Sequence, residues 1–245
     1  MNAIYHFHGD LPQLLRPRWR TANPIALPVT RAASIKDAIE AFGLPHTEVG
    51  DIACDGQPAD FCRRVEAGQR FDIFPHPTPW DVTRPTILHP VPLPELRFVV
   101  DVNAGRLARY LRMAGFDTLY DPCWDDRTIL AVLQAEPRLL LSRNLDLLKR
   151  KQVAFGRRIR ADNPLDQLRE VIGLFGIRDL PKPFSRCLEC NLPLEPVAKG
   201  DILPRLEPLT IRYVDLFSIC RNCDRIYWQG SHVEKMGTLL AQVCP

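Results

Sequence analysis

Four cysteines carry the most specific chemistry in this sequence. Cys187-x-x-Cys190 and Cys220-x-x-Cys223 are two thiol pairs separated by residues 191–219. Zn²⁺ in a structural site takes four such thiolates as a tetrahedron and needs no further ligand, so the spacing predicts one structural Zn²⁺. Asp101 is the second feature. It follows the apolar run Phe98-Val99-Val100, which reads as a buried strand, and so it offers a carboxylate at a strand's C-terminal end. In open α/β sheets that is the edge where ligands bind. A third feature is charge. Residues 138–160 hold Arg138, Arg143, Lys149, Arg150, Lys151, Arg157, Arg158 and Arg160 against the single acid Asp146, whereas residues 1–77 are close to neutral. Such a local positive field suits phosphate.

The elements that must position these groups are legible in outline. After Asp101, the residues Ala104, Leu107, Ala108, Leu111 and Ala114 recur at helical spacing, with Arg106, Arg109 and Arg112 off that face and Gly115 as its stop. Residues 116–120 read as the next strand. Asp125 and Asp126 open a helix carrying Ile129, Leu130 and Leu133, and residues 138–142 form a short buried strand. A short basic helix follows, and Asn163-Pro164 starts a last one with Leu165, Leu168, Val171, Ile172 and Phe175 on one face. The alternation predicts a parallel sheet flanked by helices.

In front of it, residues 1–77 read as a small α+β unit with strands at 3–7, 24–30, 49–54 and 71–74. A helix capped by Ser34 runs to Phe42, and an Asp55-Gly56 hairpin turn follows the third strand. The order β-β-α-β-β resembles a ubiquitin-like β-grasp. The chain runs on past this unit with no Gly-Gly tail, so a docking or structural role fits better than a carrier role. Seven prolines between Pro75 and Pro94 make residues 78–95 a stiff linker, with Trp80 and Ile87 as its pins. Behind the sheet domain, residues 206–214 read as a hairpin arm between the two knuckles. Ser231 and Glu234 read as a capping box, and His232 sits at that helix start as a weaker alternative to a thiolate ligand. Cys54, Cys62, Cys123 and Cys244 lack paired spacing and read as ordinary residues.

Bulk composition is that of a globular protein, with 46% hydrophobic and 25% charged residues and a net charge of +3. No apolar run approaches the ~18 residues of a membrane span. The start has no basic and apolar leader, so the thiols are expected in a reducing, cytoplasmic setting.

Four motifs together resemble a known family. They are Asp101…Gly105-Arg106-Leu107-Ala108-Arg109-Tyr110-Leu111-Arg112…Gly115-Phe116-Asp117, then Leu140-Leu141-Ser142-Arg143, then Phe184-Ser185-Arg186-Cys187-Leu188-Glu189-Cys190-Asn191, and Arg225-Ile226-Tyr227-Trp228-Gln229-Gly230-Ser231-His232. In this order they resemble the Mut-seven C-terminal RNase family, which implies a PIN-like nuclease domain with an appended zinc ribbon, behind a ubiquitin-like domain. The implied division is a β-grasp at 1–77, a linker at 78–95, the PIN-like domain at 96–181 and the ribbon at 182–245. The resemblance implies a ribonuclease acting on single-stranded RNA through Mg²⁺ or Mn²⁺ held by Asp101 and Asp126. The third acid of that pattern falls on Asn144, with Asp146 as its nearby substitute and Asp162 as either a fourth acid or a cap for the helix that starts near Pro164. Arg106, Arg109, Arg143, Lys149 and Arg150 are the expected phosphate contacts. RNA is the expected partner, with a protein partner for the β-grasp and no membrane. The rival reading is an RNA-binding adaptor that has lost the third acid.

Overall fold

The computed structural model describes residues 1–243, and the side chains of Ser231 and His232 are outside that description, as is Cys244. The chain divides into two compact units, residues 1–104 with 121–160, and residues 105–120 with 161–245.

The N-terminal part of the first unit is a five-stranded sheet. Strands β1 (Asn2–Phe7) and β2 (Ile25–Pro28) are antiparallel, and helix α1 (Ile35–Ala41) follows. Ser34 and Asp37 close a capping box at the start of α1. Strands β3 (Val49–Cys54) and β4 (Gln57–Pro58) form a hairpin across Asp55 and Gly56, whose φ values of 51° and 78° are the two left-handed positions a type I′ turn requires. Strand β5 (Arg70–Pro75) returns through the middle of the sheet, parallel to β1 and antiparallel to β3, giving the order β2-β1-β5-β3-β4. This is a β-grasp. Its core is built on Phe7, Leu15, Ile35, Ile39, Ile52, Phe71 and others, all buried.

Beyond the proline-rich segment come β6 (Phe98–Val100), α2 (Gly105–Met113), β7 (Thr118–Leu119), α3 (Asp126–Ala135), β8 (Leu139–Ser142), α4 (Leu145–Leu148), β9 (Gly156–Arg158) and α5 (Pro164–Phe175). Strands β6, β8 and β9 are parallel, with Val100 opposite Leu141 and Leu141 opposite Arg157. All residues of β6 and β8 are buried, as strands covered on both faces must be. Strand β9 has the sequence Gly-Arg-Arg, carries no apolar alternation and is absent from the sequence reading. What places it is tertiary: Glu48 of the β-grasp, fully buried, accepts the Arg158 backbone N–H at 2.7 Å and pairs with the Arg157 guanidinium at 3.0 Å. Burial raises the Glu48 carboxyl above its ordinary range, opposed by Arg157 and the Arg158 N–H. The β-grasp thus seals the edge of the parallel sheet.

The proline-rich segment is packed within the first unit. Trp80, Val82, Leu88, His89 and Leu93 are buried, Trp80 stacks on His76 at 3.6 Å, and His89 lies 4.8 Å from the Phe155 ring. Trp80 pins it as expected, but Ile87 is 53% exposed and does not.

In the second unit α2 packs on α5. Gly115 ends α2 with φ 97°, and a Cβ there would meet the Pro181 carbonyl oxygen at 1.5 Å, so only glycine fits. The unit ends in β10 (Glu195–Val197), α6 (Lys199–Ile202), α7 (Pro208–Tyr213), β11 (Phe217–Ile219), β12 (Ile226–Trp228) and α8 (Ser231–Ala241). Strands β10, β11 and β12 form an antiparallel sheet. The expected hairpin over 206–214 is helical instead. Pro208 sits at the first turn of α7, where its missing N–H is harmless, whereas in a strand it would remove a ladder bond.

Candidate active site and zinc centre

Parallel pairing brings the C-terminal tips of β6 and β8 together, and Asp101 and Ser142 occupy them. Asp101 is 2% exposed and Ser142 is fully buried. The Ser142 hydroxyl donates a short hydrogen bond to Asp101 Oδ2, while the Asn103 N–H donates to Oδ1 at 2.9 Å. Ser142 Oγ in turn accepts the Asn144 N–H at 2.9 Å. This relay orients the Asp101 carboxylate and leaves one lone pair on each of its oxygens outside these bonds. Ser142 belongs to the Leu140-Leu141-Ser142-Arg143 motif, whose types alone assign it no role. A buried hydroxyl one position past an apolar strand run, beside a strand-tip acid, was the available signal.

The other expected acids stand apart from this relay. Asp126 begins α3 and is exposed, and its neighbour Asp125 is the cap, accepting the Thr128 N–H at 2.8 Å. Asp146 is exposed and pairs with Lys149 at 3.2 Å. Asn144 caps α4: its Oδ1 accepts the N–H groups of Asp146 at 3.0 Å and Leu147 at 3.3 Å. That uses both lone pairs of the one oxygen it could offer a metal. Among the described residues, no three of the acids named here have carboxylate oxygens gathered within 4.8 Å.

The basic residues divide into two groups. Arg138 is buried and pairs with Glu136 at 3.0 Å, Arg157 pairs with Glu48, and Arg160 pairs with Asp10 at 2.7 Å. These hold the fold. Arg150 and Lys151 are exposed, and Arg143 and Lys149 half-buried, so the field near β8 is narrower than the sequence count suggested. In the second unit Arg106 and Arg109 line a cleft of about 570 Å³ with Tyr110, Met113 and Met236. Arg109 pairs there with Glu189. Arg112, read from the sequence as off the apolar face, is 3% exposed. Its guanidinium donates to the carbonyls of Thr118, Tyr120, Leu188 and Glu189 at 2.7–3.2 Å, which fastens α2 to the first cysteine knuckle.

The four cysteines are together, with all Sγ atoms within 4.8 Å of one another. The two knuckles repeat one backbone design. Asn191 and Asp224, each just past the second cysteine, adopt φ of 67° and 57° and donate N–H to the carbonyls of Cys187 and Cys220 at 2.9 and 2.8 Å. The Cys190 N–H points at Cys187 Sγ at 3.3 Å, and Asn222 donates to Cys190 Sγ at 3.3 Å, bonds that favour thiolate over thiol. Burial pushes the Cys187 thiol up, but the Tyr227 hydroxyl and the N–H groups of Cys190 and Glu189 bring it down to about 7. Burial and the neighbouring sulfurs push Cys223 up to about 12. The donor set fits a tetrahedral Zn²⁺, whose binding would displace the remaining protons. Cys54 is buried, and Cys62 and Cys123 are exposed.

A family model described as Mut7-C RNAse domain matches residues 96–240, and one described as Mut7-C ubiquitin matches residues 1–81. No curated protein and no solved structure matches the chain.

Proposed function

The chain belongs to the Mut7-C RNAse domain family, which matches more than half its length, and from that premise we propose that it cleaves single-stranded RNA at a Mg²⁺ or Mn²⁺ site on Asp101 and Asp126. The observation that carries this reading is Asp101 itself: a carboxylate buried at a parallel-sheet tip and aimed by Ser142 and the Asn103 N–H. A divalent ion held there would lower the pKa of a bound water and offset charge developing on the scissile phosphate. The chain's own work is to fix the first ligand before the ion arrives. Ser142 is a positioning residue, holding Asp101 through Oδ2. Asn144 ties the start of α4 to Ser142 through its N–H and caps that helix with its side chain. Arg143, Lys149 and Arg150 would meet backbone phosphates beside β8, and Arg106 and Arg109 are the matching candidates of the second unit. The ribbon would hold one Zn²⁺ as a structural ion.

A second reading has its own support. With the Asn144 oxygen engaged in the cap and its other side-chain atom a donor, the third acidic position supplies no charge, which favours an RNA-binding adaptor. Incubating labelled single-stranded RNA with the full chain, with Mn²⁺ or with chelator, separates the two. Cleavage that requires Mn²⁺ supports the nuclease, and intact RNA that is retained in a low-salt complex supports the adaptor.

A further inference from the structure

On the β-grasp sheet, far in sequence from either metal site above, His6, His8 and Asp72 bring one ligand atom each within 4.8 Å of the others. His6 lies in β1 and His8 just beyond its end, two residues on, so their side chains share one face. Strand β5 runs parallel beside β1 with Asp72 opposite His6. His6 Nδ1 lies 3.2 Å and His8 Nε2 2.9 Å from Asp72 Oδ1. A tetrahedral ion with bonds of about 2.0–2.1 Å separates its ligands by roughly 3.3 Å, so the two measured edges need only small adjustment. The ring of His8 is held by stacking on Phe74 at 4.2 Å, and Asp72 Oδ2 accepts the Arg70 Nε–H at 3.1 Å. The stack fixes the plane of the His8 ring, and a hydrogen-bonded carboxylate is an outer contact that metal ligands commonly have. Side-chain exposures of 30%, 29% and 18% leave the face open to solvent, so an ion can enter and a water can complete its shell.

We propose that His6, His8 and Asp72 form a second, exchangeable site for a divalent transition-metal ion of the Zn²⁺ or Co²⁺ type. Imidazole nitrogen with one carboxylate oxygen suits such borderline ions better than Mg²⁺ or Ca²⁺. The plain alternative is a polar cluster that only staples β1 to β5. Three donors and the Arg70 cation, whose Nη2 donates to Asp72 Oδ1 at 3.3 Å, make the site weaker than four thiolates, so the ribbon fills first. The proposal does not depend on the nuclease reading.

The test uses the full chain with its ribbon zinc in place, Co²⁺ as the probe and backbone amide NMR as the readout. About one added equivalent of Co²⁺ is expected to broaden the amides of residues 5–8 and 71–74, and excess Zn²⁺ to restore them. His8→Ala should abolish that broadening while Zn²⁺ taken up per chain falls by one. His6→Gln, which preserves a polar contact, should weaken binding at least tenfold. Sharp amides in β1 and β5 at several equivalents of Co²⁺ in the unaltered chain would overturn the proposal, whatever the variants do. Equal broadening in the His8→Ala protein would do the same.

Discussion

Replacing Glu48 by alanine is expected to loosen the first unit at the edge of its parallel sheet. Glu48 is fully buried, and its carboxylate meets the Arg157 guanidinium at 3.0 Å, the Arg158 N–H at 2.7 Å and Arg160 at 3.9 Å. The Arg157 side chain is only 11% exposed, so alanine strands a buried cation, a loss of about 3–5 kcal/mol. The orphaned Arg158 N–H adds roughly 1–3 kcal/mol. Arg160 is 35% exposed and distant, and contributes little. These losses share one site and do not sum, so about 3–6 kcal/mol is expected. For a chain of this length that is roughly 6–24 °C in Tm. Urea denaturation read by tryptophan fluorescence measures it, and amide exchange in β9 should accelerate. Glu48→Gln keeps an acceptor for the N–H and should lose less. Glu48→Leu with Arg157→Met removes both charges and should recover most of the loss. A Glu48→Ala protein within 1 kcal/mol of the unaltered chain would refute the idea that this ion pair joins the β-grasp to the sheet.

Three further outcomes are expected. Native mass spectrometry should find one Zn²⁺ on Cys187, Cys190, Cys220 and Cys223, and Cys220→Ser should unfold the ribbon, since such sites carry on the order of 10 kcal/mol of folding energy; zinc-free protein isolated without chelator would contradict this. His89 is buried and takes up its proton only near 4 rather than 6.5, because burial opposes the charge. The unfolded chain therefore binds that proton first as pH falls, so stability present above pH 6.5 declines by about 3 kcal/mol down to pH 4, and an unchanged pH slope in His89→Phe would count against it. Asn144→Asp keeps the cap with one oxygen and frees a second, charged one, so it should leave Tm nearly unchanged and raise Mg²⁺-supported cleavage; an unaltered rate and metal preference would leave residue 144 a cap alone.

What could be read from the sequence was whatever local chemistry decides. The Ser34 to Asp37 capping box, the Asp55-Gly56 turn, the Gly115 stop and the paired cysteines each act within a few residues, and each stands where the sequence put it. Features decided across the chain were not legible. Strand β9 exists because Glu48, 110 residues earlier, accepts its N–H. Arg112 looks like a surface cation on a helical wheel, yet four carbonyls from separate segments satisfy it inside the second unit. Residues 206–214 read as a hairpin arm, yet Pro208 fits the first turn of a helix and would remove a ladder bond from a strand. At the candidate site, the strand-tip position of Asp101 was legible from the apolar run before it, but its bond to Ser142 depends on parallel register.

The most direct measurement is single-turnover cleavage of a labelled single-stranded RNA in Mn²⁺ by the full chain and its Asp101→Asn form, with RNA affinity and Tm measured alongside. Asparagine fills the same volume and can still accept from Ser142, while removing the charge an ion requires. The account predicts a rate loss on the order of 10²-fold or more at unchanged RNA affinity and Tm. Equal rates in the two proteins would contradict it.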